Sequence, residues 1–290
     1  MTTASPRPDD YRFHHRLRVR WAEVDMQGIV FNGHYLMYVD CAIADYWRAL
    51  AMPYADAMHR LGGDLVVRRS TLDYLASARY DEQLDIGLRC LRVGNSSLTY
   101  EASVFRGEQR LLGAEVVYVF TDPSLSGSRP VPQDLRALVE GWEKGEPVVE
   151  VRTGDWDRLG RDAQAIRTEV FVQEQKIPAE LEWDAGDAHC VHAVAYNRLG
   201  MPVATGRLLE HVPGVAKVGR MAVRQAVRGA RVGEAVLQAL MEAARRRGDR
   251  EVLLHAQRSA VPFYLRQGFQ PRGPQFEEAG IAHQEMVRAL

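Results

Sequence analysis

The chain has 290 residues, 46% of them hydrophobic, which is enough to bury two ordinary cores. Its formal net charge of −1 gives no reason to expect a polyanionic partner such as nucleic acid. The three cysteines are far apart in sequence, which argues against a disulfide framework and fits a reducing cytoplasm. No apolar run approaches membrane-spanning length, so we expect a soluble protein without a membrane partner.

The first patterned segment is a strand followed by an amphipathic helix. Strand periodicity runs from Phe13 to Trp21, and helical spacing runs from Tyr35 to Leu50. Asp25 lies between them, which places a carboxylate beside a helix N-terminus. Unpaired amides and the positive end of the helix dipole stabilise an oxyanion at such a position. The segment therefore has the groups needed for acyl transfer or thioester hydrolysis.

The next segments have the composition of strands joined by short turns. Turn signals at 94–96 and 106–108 separate the last three of them, which predicts consecutive antiparallel hairpins. A short closing helix is predicted at 130–142, and the polar, breaker-rich segment 143–147 is typical of a linker. The pattern predicts an antiparallel sheet wrapped round one helix, with strands at 65–75, 84–93, 98–105 and 111–121.

The spacing of Asp25 and Gly28 resembles the motif of hotdog-fold acyl-CoA thioesterases of the 4-hydroxybenzoyl-CoA thioesterase type. The resemblance covers residues 11–142. It implies that Asp25 is catalytic, either as a nucleophile or as a general base on water, and the sequence does not separate these roles. It also implies an oxyanion and substrate-binding set of Gly28, Phe31, Asn32 and Gly33. The structural alternatives are that Asn32 is the helix N-cap and that Asp25 is a cap or turn residue.

The same resemblance implies an assembly. Hotdog domains generally pair so that their sheets join, with the acyl-CoA site at the subunit interface. We therefore expect a homodimer or a homotetramer formed through this domain.

After the linker the predicted order becomes helix, hairpin, strand, helix, strand, helix, strand. The helix begins near Trp156, and the hairpin joins 191–196 to 202–209. A strand at 217–223 leads into a glycine-bearing turn and the next helix. Such a turn directs several backbone N–H groups at one point, which suits a pyrophosphate. The order predicts an α/β domain, whereas the first domain is α+β.

This order, with the segments 167–175 and 280–286, resembles the ElaA-like branch of the GNAT N-acetyltransferases over residues 148–290. The resemblance implies that Tyr264 protonates the departing thiolate and that acetyl-CoA and acyl-CoA are substrates, with no tightly bound cofactor. Arg231 stands where the usual turn has a glycine. The implied coenzyme A contacts are Val223, Arg228, Gly229, Ala230, Arg231, Val232 and Gly233.

The amine acceptor of such an enzyme needs a base or a water route for its proton. Glu174, His189 and His192 are candidates that the sequence does not rank. His189, Cys190 and His192 match no established zinc spacing, so we expect no metal site.

Together these patterns predict a bifunctional acyl-CoA enzyme with small-molecule acyl-CoA and amine substrates. The alternative is a protein that binds or senses acyl-CoA or acetyl-CoA, with one domain catalytically inactive. A hotdog dehydratase or hydratase is a third interpretation, which the Asp25 and Gly28 spacing fits less well.

Overall fold

The structure is a computed structural model, and it describes residues 5–278 and 280–290. Its contacts divide the chain into two compact units, Met1–Val148 (unit 1) and Val149–Leu290 (unit 2). Among the described residues, no helix combines the length and apolarity needed to cross a membrane.

Unit 1 contains one five-stranded sheet in the order β1-β3-β4-β5-β2, and every neighbouring pair is antiparallel. The consecutive hairpins predicted from the turn signals are confirmed, and so is the hotdog architecture. The short helix α2 was not predicted. The strands are β1 Phe13–Arg18, β2 Asp64–Tyr74, β3 Gln83–Val93, β4 Ser97–Arg106 and β5 Gln109–Thr121, and the helices are α1 Asn32–Ala49, α2 Tyr54–Leu61 and α3 Gln133–Glu143.

Helix α1 is the central helix of unit 1. Its buried residues recur at helical spacing and form one apolar face, which includes Tyr38, Val39 and Tyr46. The Tyr46 ring packs edge-to-face on Tyr100 of β4, with 5.5 Å between centroids. This packing fixes the helix on the sheet and so fixes the position of its N-terminus.

Unit 2 contains an eight-stranded mixed sheet, in which seven strands follow the order β11-β13-β10-β9-β8-β7-β6 and β12 pairs with β13. The predicted order missed β6, which the structure places before the first helix. The strands are β6 Val149–Gly154, β7 Val191–Asn197, β8 Pro202–Val212, β9 Val215–Val223, β10 Glu251–Gln257, β11 Gln270–Pro271, β12 Phe276–Glu278 and β13 Ile281–Ala289; the helices are α4 Trp156–Arg167, α5 Ala179–Glu182, α6 Val232–Arg247 and α7 Val261–Arg266.

Strands β9 and β10 run parallel and then separate. Their pairing ends at Val218 and Leu254, although both strands continue beyond these residues. A bulge after Gly219, with Arg220 at φ 51°, also shifts the register of β9 against β8. The separation leaves an opening between two neighbouring strands of the sheet.

Candidate functional site

Asp25 lies in a tight turn between β1 and α1. Its amide donates to the carbonyl of Ile29, and the amide of Gly28 donates to the carbonyl of Asp25, both at 2.9 Å. Gly28 has φ 72°, a conformation that glycine adopts without steric cost. The Asp25 Oδ1 atom accepts a hydrogen bond from the Gln27 amide at 2.8 Å. The turn role is therefore present in the structure, and it uses one of the two carboxylate oxygens.

Glu23, which the sequence analysis did not select, fixes this loop to α1. Its buried carboxylate accepts hydrogen bonds from the Tyr38 hydroxyl and the Arg20 amide, both at 2.7 Å, and forms an ion pair with the Arg20 guanidinium. Burial alone would raise the pKa of Glu23, but these hydrogen bonds and the guanidinium outweigh it, so the pKa is lowered. Glu23 therefore anchors to α1 a residue only two positions before Asp25.

The N-terminus of α1 follows directly. The helix begins at Asn32 after Phe31, and no side chain caps it, so the alternative that Asn32 is the N-cap is wrong. The Phe31 amide donates to the Glu23 carbonyl at 2.9 Å and is not available to an oxyanion. The predicted donors that remain are the amides of Asn32 and Gly33, at the positive end of the helix dipole.

Unit 2 has a cavity of about 1330 Å³ at the opening between β9 and β10. Most of the residues predicted to contact coenzyme A line it, and so does Tyr264. Ala230 is not among the lining residues. The predicted residues that line the cavity are Val223, Arg228, Gly229, Arg231, Val232, Gly233 and Tyr264.

The turn before α6 presents backbone amides to this cavity. No side chain caps α6, so its first-turn amides, including those of Val232 and Gly233, keep their donors for a ligand. Gly233 also permits close packing, because a Cβ atom there would lie 3.2 Å from Val223 Cγ2. Arg231, at φ 60°, occupies the left-handed conformation that favours glycine. This explains why glycine is usual at that position in the pattern.

The arginines of the turn are already paired. Arg228 forms a bidentate ion pair with Glu174 at 2.6 and 2.7 Å, and the Arg231 Nε atom lies 2.9 Å from the Glu234 carboxylate. A phosphate at this turn would therefore meet main-chain donors before it met a free guanidinium.

Tyr264 is a buried residue that lines the cavity. Burial raises the pKa of its hydroxyl. The phenol therefore keeps its proton at neutral pH, as a proton donor must.

The three bases proposed from the sequence do not line the cavity. His189 is exposed and His192 is buried, and neither is among the residues that line the cavity. Glu174 is held by Arg228. Lys217, His255 and His283 do line the cavity, although sequence reasoning missed them. The sequence signal that could have found them is the alternation of side chains along a strand, which places every second residue on the same face of the sheet.

Within residues 5–278 and 280–290, Asp187, Cys190 and His192 form a buried trio of possible metal ligands. Asp187 accepts from two guanidinium groups, those of Arg167 and Arg207, each at 2.7 Å. The His192 Nε2 atom lies 2.8 Å from the Asp187 carbonyl oxygen. These contacts account for the cluster as a structural network of charges and hydrogen bonds.

Two family models match the chain. The model described as "Acetyltransferase (GNAT) domain" matches residues 161–290, and the one described as "Thioesterase superfamily" matches residues 27–112. The chain is 38% identical over 129 residues to "Uncharacterized N-acetyltransferase YjcF" of Bacillus subtilis, covering 44% of this chain and 91% of that protein. It is 28% identical over 122 residues to "Acyl-CoA thioester hydrolase YbgC" of Escherichia coli O157:H7, covering 42% of this chain and 90% of that protein.

Solved structures resemble each unit separately. A crystal structure described as a putative N-acetyltransferase from Lactobacillus plantarum covers 50% of this chain and 99% of its own, with 30% identity and a TM-score of 0.47. One described as a probable thioesterase from Bartonella henselae covers 41% of this chain and 98% of its own, with 22% identity and a TM-score of 0.39.

Proposed function

Since the second unit belongs to the GNAT acetyltransferases and the first matches the thioesterase superfamily model over residues 27–112, we propose that the chain is a bifunctional acyl-CoA enzyme. One domain, residues 11–142, hydrolyses an acyl-CoA thioester. The other, residues 148–290, transfers acetyl from acetyl-CoA to an amine. Coenzyme A is the group common to both reactions, and neither domain needs a tightly bound cofactor.

The observation that supports hydrolysis is the Asp25 turn beside an uncapped helix. A thioester carbonyl placed at the N-terminus of α1 would direct its developing oxyanion at the amides of Asn32 and Gly33. Asp25 would then act on the carbonyl carbon as a nucleophile, or on water as a general base. The reacting oxygen would be Oδ2, because Oδ1 accepts a hydrogen bond from the Gln27 amide.

The observation that supports acetyl transfer is one cavity that contains both a turn of main-chain donors and a buried phenol. The amides at the start of α6 would hold the pyrophosphate of acetyl-CoA, aided by the helix dipole. Tyr264 would donate its proton to the coenzyme A thiolate as the carbon–sulfur bond breaks.

We also propose that unit 1 assembles through its sheet. Strand β2 is an edge strand of eleven residues, and it carries the exposed apolar side chains Val67 and Tyr74. The unpaired backbone N–H and C=O groups of a long edge strand can pair with a second chain, and exposed apolar side chains add contact area. Light scattering should therefore give a homodimer or a homotetramer, and a monomer at micromolar concentration would contradict this assembly.

A second candidate function is binding without turnover in one domain. Arg231 favours it for unit 2, since this residue departs from the glycine of the pattern and holds a left-handed backbone at the proposed ligand turn. In that case the protein would sense acetyl-CoA while unit 1 remained a hydrolase.

One experiment with the full chain separates these functions. Free-thiol release is measured over a panel of acyl-CoAs, with and without a panel of small amines. The bifunctional enzyme should release thiol from some acyl-CoAs without any amine, and acetyl-CoA should require an amine for rapid release. If acetyl-CoA binds but no amine accelerates thiol release, unit 2 is a binding domain. If no acyl-CoA is hydrolysed, the assignment of unit 1 is wrong.

A further inference from the structure

Lys217 and His255 form a polar pair inside the cavity of unit 2. The Lys217 Nζ atom lies 3.5 Å from the His255 Nδ1 atom. Both side chains line the same cavity as Tyr264 and the turn before α6. They come from the neighbouring strands β9 and β10, one residue before and one residue after the last pair, Val218 and Leu254. The amine and the imidazole therefore meet where the sheet opens.

The charged groups round His255 orient its ring. The Nε2 atom lies 3.6 Å from a Glu285 oxygen on β13, and Arg272 holds that carboxylate at 2.6 Å. The Nδ1 atom faces both Lys217 and a Glu278 oxygen, the latter at 3.4 Å. The proposal requires the tautomer of the neutral ring that carries its proton on Nε2, the side of the Glu285 carboxylate. The Nδ1 lone pair is then directed to the lysine ammonium.

The His255 ring also has an aromatic neighbour. Phe276 of β12 packs edge-to-face on His255 at 4.8 Å between centroids, and His283 of β13 stacks on Phe276. These groups leave the imidazole half-buried and confine it to the side of the cavity that Lys217 occupies.

Lys217 differs from the two arginines of the turn before α6. Among residues 5–278 and 280–290, it has no carboxylate within ion-pair distance, whereas Arg228 and Arg231 each have one. It is also one of only three lysines in the chain. Neither Lys144 nor Lys176 is among the residues that line the cavity. Lys217 is thus an amine placed beside a proton acceptor in the cavity proposed for acetyl-CoA.

We propose that Lys217 is a site of self-acetylation, in which acetyl-CoA bound in this cavity transfers its acetyl group to Nζ and His255 takes the amine proton. This inference rests on the proposed binding of acetyl-CoA to unit 2. The Lys217 ammonium first passes one proton to His255 Nδ1. The neutral Nζ atom then forms a bond to the thioester carbonyl carbon, and the carbon–sulfur bond breaks. The thiolate takes a proton from Tyr264, the nitrogen's second proton returns to the Tyr264 phenolate, and His255 releases the first proton to solvent. The products are N-acetyl-lysine, the free thiol of coenzyme A and one released proton.

The test uses the full chain and acetyl-CoA alone, with no added amine. Intact mass spectrometry follows the gain of one acetyl group, and peptide mapping locates it. We expect a single modification, on Lys217. Lys217→Arg, which keeps the charge, should abolish it, whereas Lys144→Arg and Lys176→Arg should leave it unchanged. Equal labelling of all three lysines, or the same labelling of heat-unfolded protein, would mean that the reaction is ordinary surface chemistry and would overturn the proposal.

The role of His255 has its own control. His255→Gln should slow the acetylation of Lys217 by about a hundredfold, the lower end of what a general base contributes. His189→Gln, at an exposed histidine outside the cavity, should not change the rate. An unchanged rate in His255→Gln would refute that role.

Binding of acetyl-CoA, measured by calorimetry on the same samples, separates this inference from the proposed function. Binding without acetylation of Lys217 would refute self-acetylation and leave the acetyl-CoA site in place. If acetyl-CoA does not bind, both fail.

Discussion

The two candidate sites are built in different ways. In unit 1, the half-buried Asp25 lies on a short loop that is fixed by backbone hydrogen bonds and by the buried Glu23. In unit 2, the turn before α6 and Tyr264 line a single cavity within one chain. The first site is a loop beside a helix end, and the second is a cavity inside one unit.

The two sites differ in whether they need a second protein surface to enclose the ligand. A loop site next to exposed apolar residues such as Phe31 leaves a bound acyl chain open to solvent unless a second surface covers it. A cavity between separated strands can enclose its ligand alone. We therefore expect hydrolysis to depend on assembly and acetyl-CoA binding to be independent of it.

The largest expected effect is at Asp25. Asp25→Asn keeps the shape and the Gln27 hydrogen bond but removes the nucleophile or base, so thiol release should fall by about 10²- to 10⁴-fold. Asp134→Asn, at an exposed carboxylate on α3, is the matched control. Acetyl-CoA binding by unit 2 should be unchanged in both variants. A loss of that binding in Asp25→Asn would show that the two sites are coupled.

The next effect is at Tyr264. Tyr264→Phe removes the proposed acid and should slow amine-dependent thiol release from acetyl-CoA by about a hundredfold, the lower end of what an acid or base contributes. The raised pKa of Tyr264 means that the phenol keeps its proton as pH rises, so the wild-type rate should not fall between neutral pH and about pH 9 through this group. Tyr196→Phe, in the same unit but outside the cavity, is the control. Equal rates in Tyr264→Phe and the wild type across this range would exclude the acid role.

The sequence predicted features that consecutive residues form. It missed a short strand and a contact between residues that are far apart in the chain. The Asp25 turn and the turn before α6 are local, so a few consecutive residues were enough to identify them. Strand β6 is short and follows a breaker-rich linker, and its pattern was too brief to detect. Lys217 and His255 are 38 residues apart in the chain, and only the parallel pairing of β9 and β10 brings them together.

A smaller effect is expected at the Glu23 contact. Tyr38→Phe removes one hydrogen bond to a buried carboxylate, which should cost about 1–2 kcal/mol of unfolding free energy. Because the pKa of Glu23 is lowered in the fold, its stabilisation is present above the unfolded pKa near about 4.3 and is lost as pH falls through the folded value. The difference between variant and wild type should therefore shrink in acid.

Urea titration with residual thioesterase activity as the readout measures this difference at neutral and acidic pH. Tyr80→Phe, at an exposed tyrosine of the same unit, is the control. A penalty that stays constant as pH falls from neutral to below the folded pKa of Glu23 would mean that the Tyr38 hydroxyl does not act through the Glu23 carboxylate.

The smallest effect is at Arg231, and two substitutions separate its backbone from its side chain. Arg231→Gly and Arg231→Ala both remove the guanidinium and its contact with Glu234, but only glycine relieves the left-handed backbone. The glycine variant should therefore be more stable than the alanine variant by about 1 kcal/mol in thermal or urea unfolding. Since Glu234 already pairs the guanidinium, the affinity for acetyl-CoA should change by less than about tenfold in either variant, which is a difference of about 1.4 kcal/mol. A larger and equal loss of acetyl-CoA affinity in both variants would mean that the Arg231 guanidinium leaves Glu234 and binds phosphate. The site of unit 2 would then depend on a mobile side chain as well as on fixed main-chain donors.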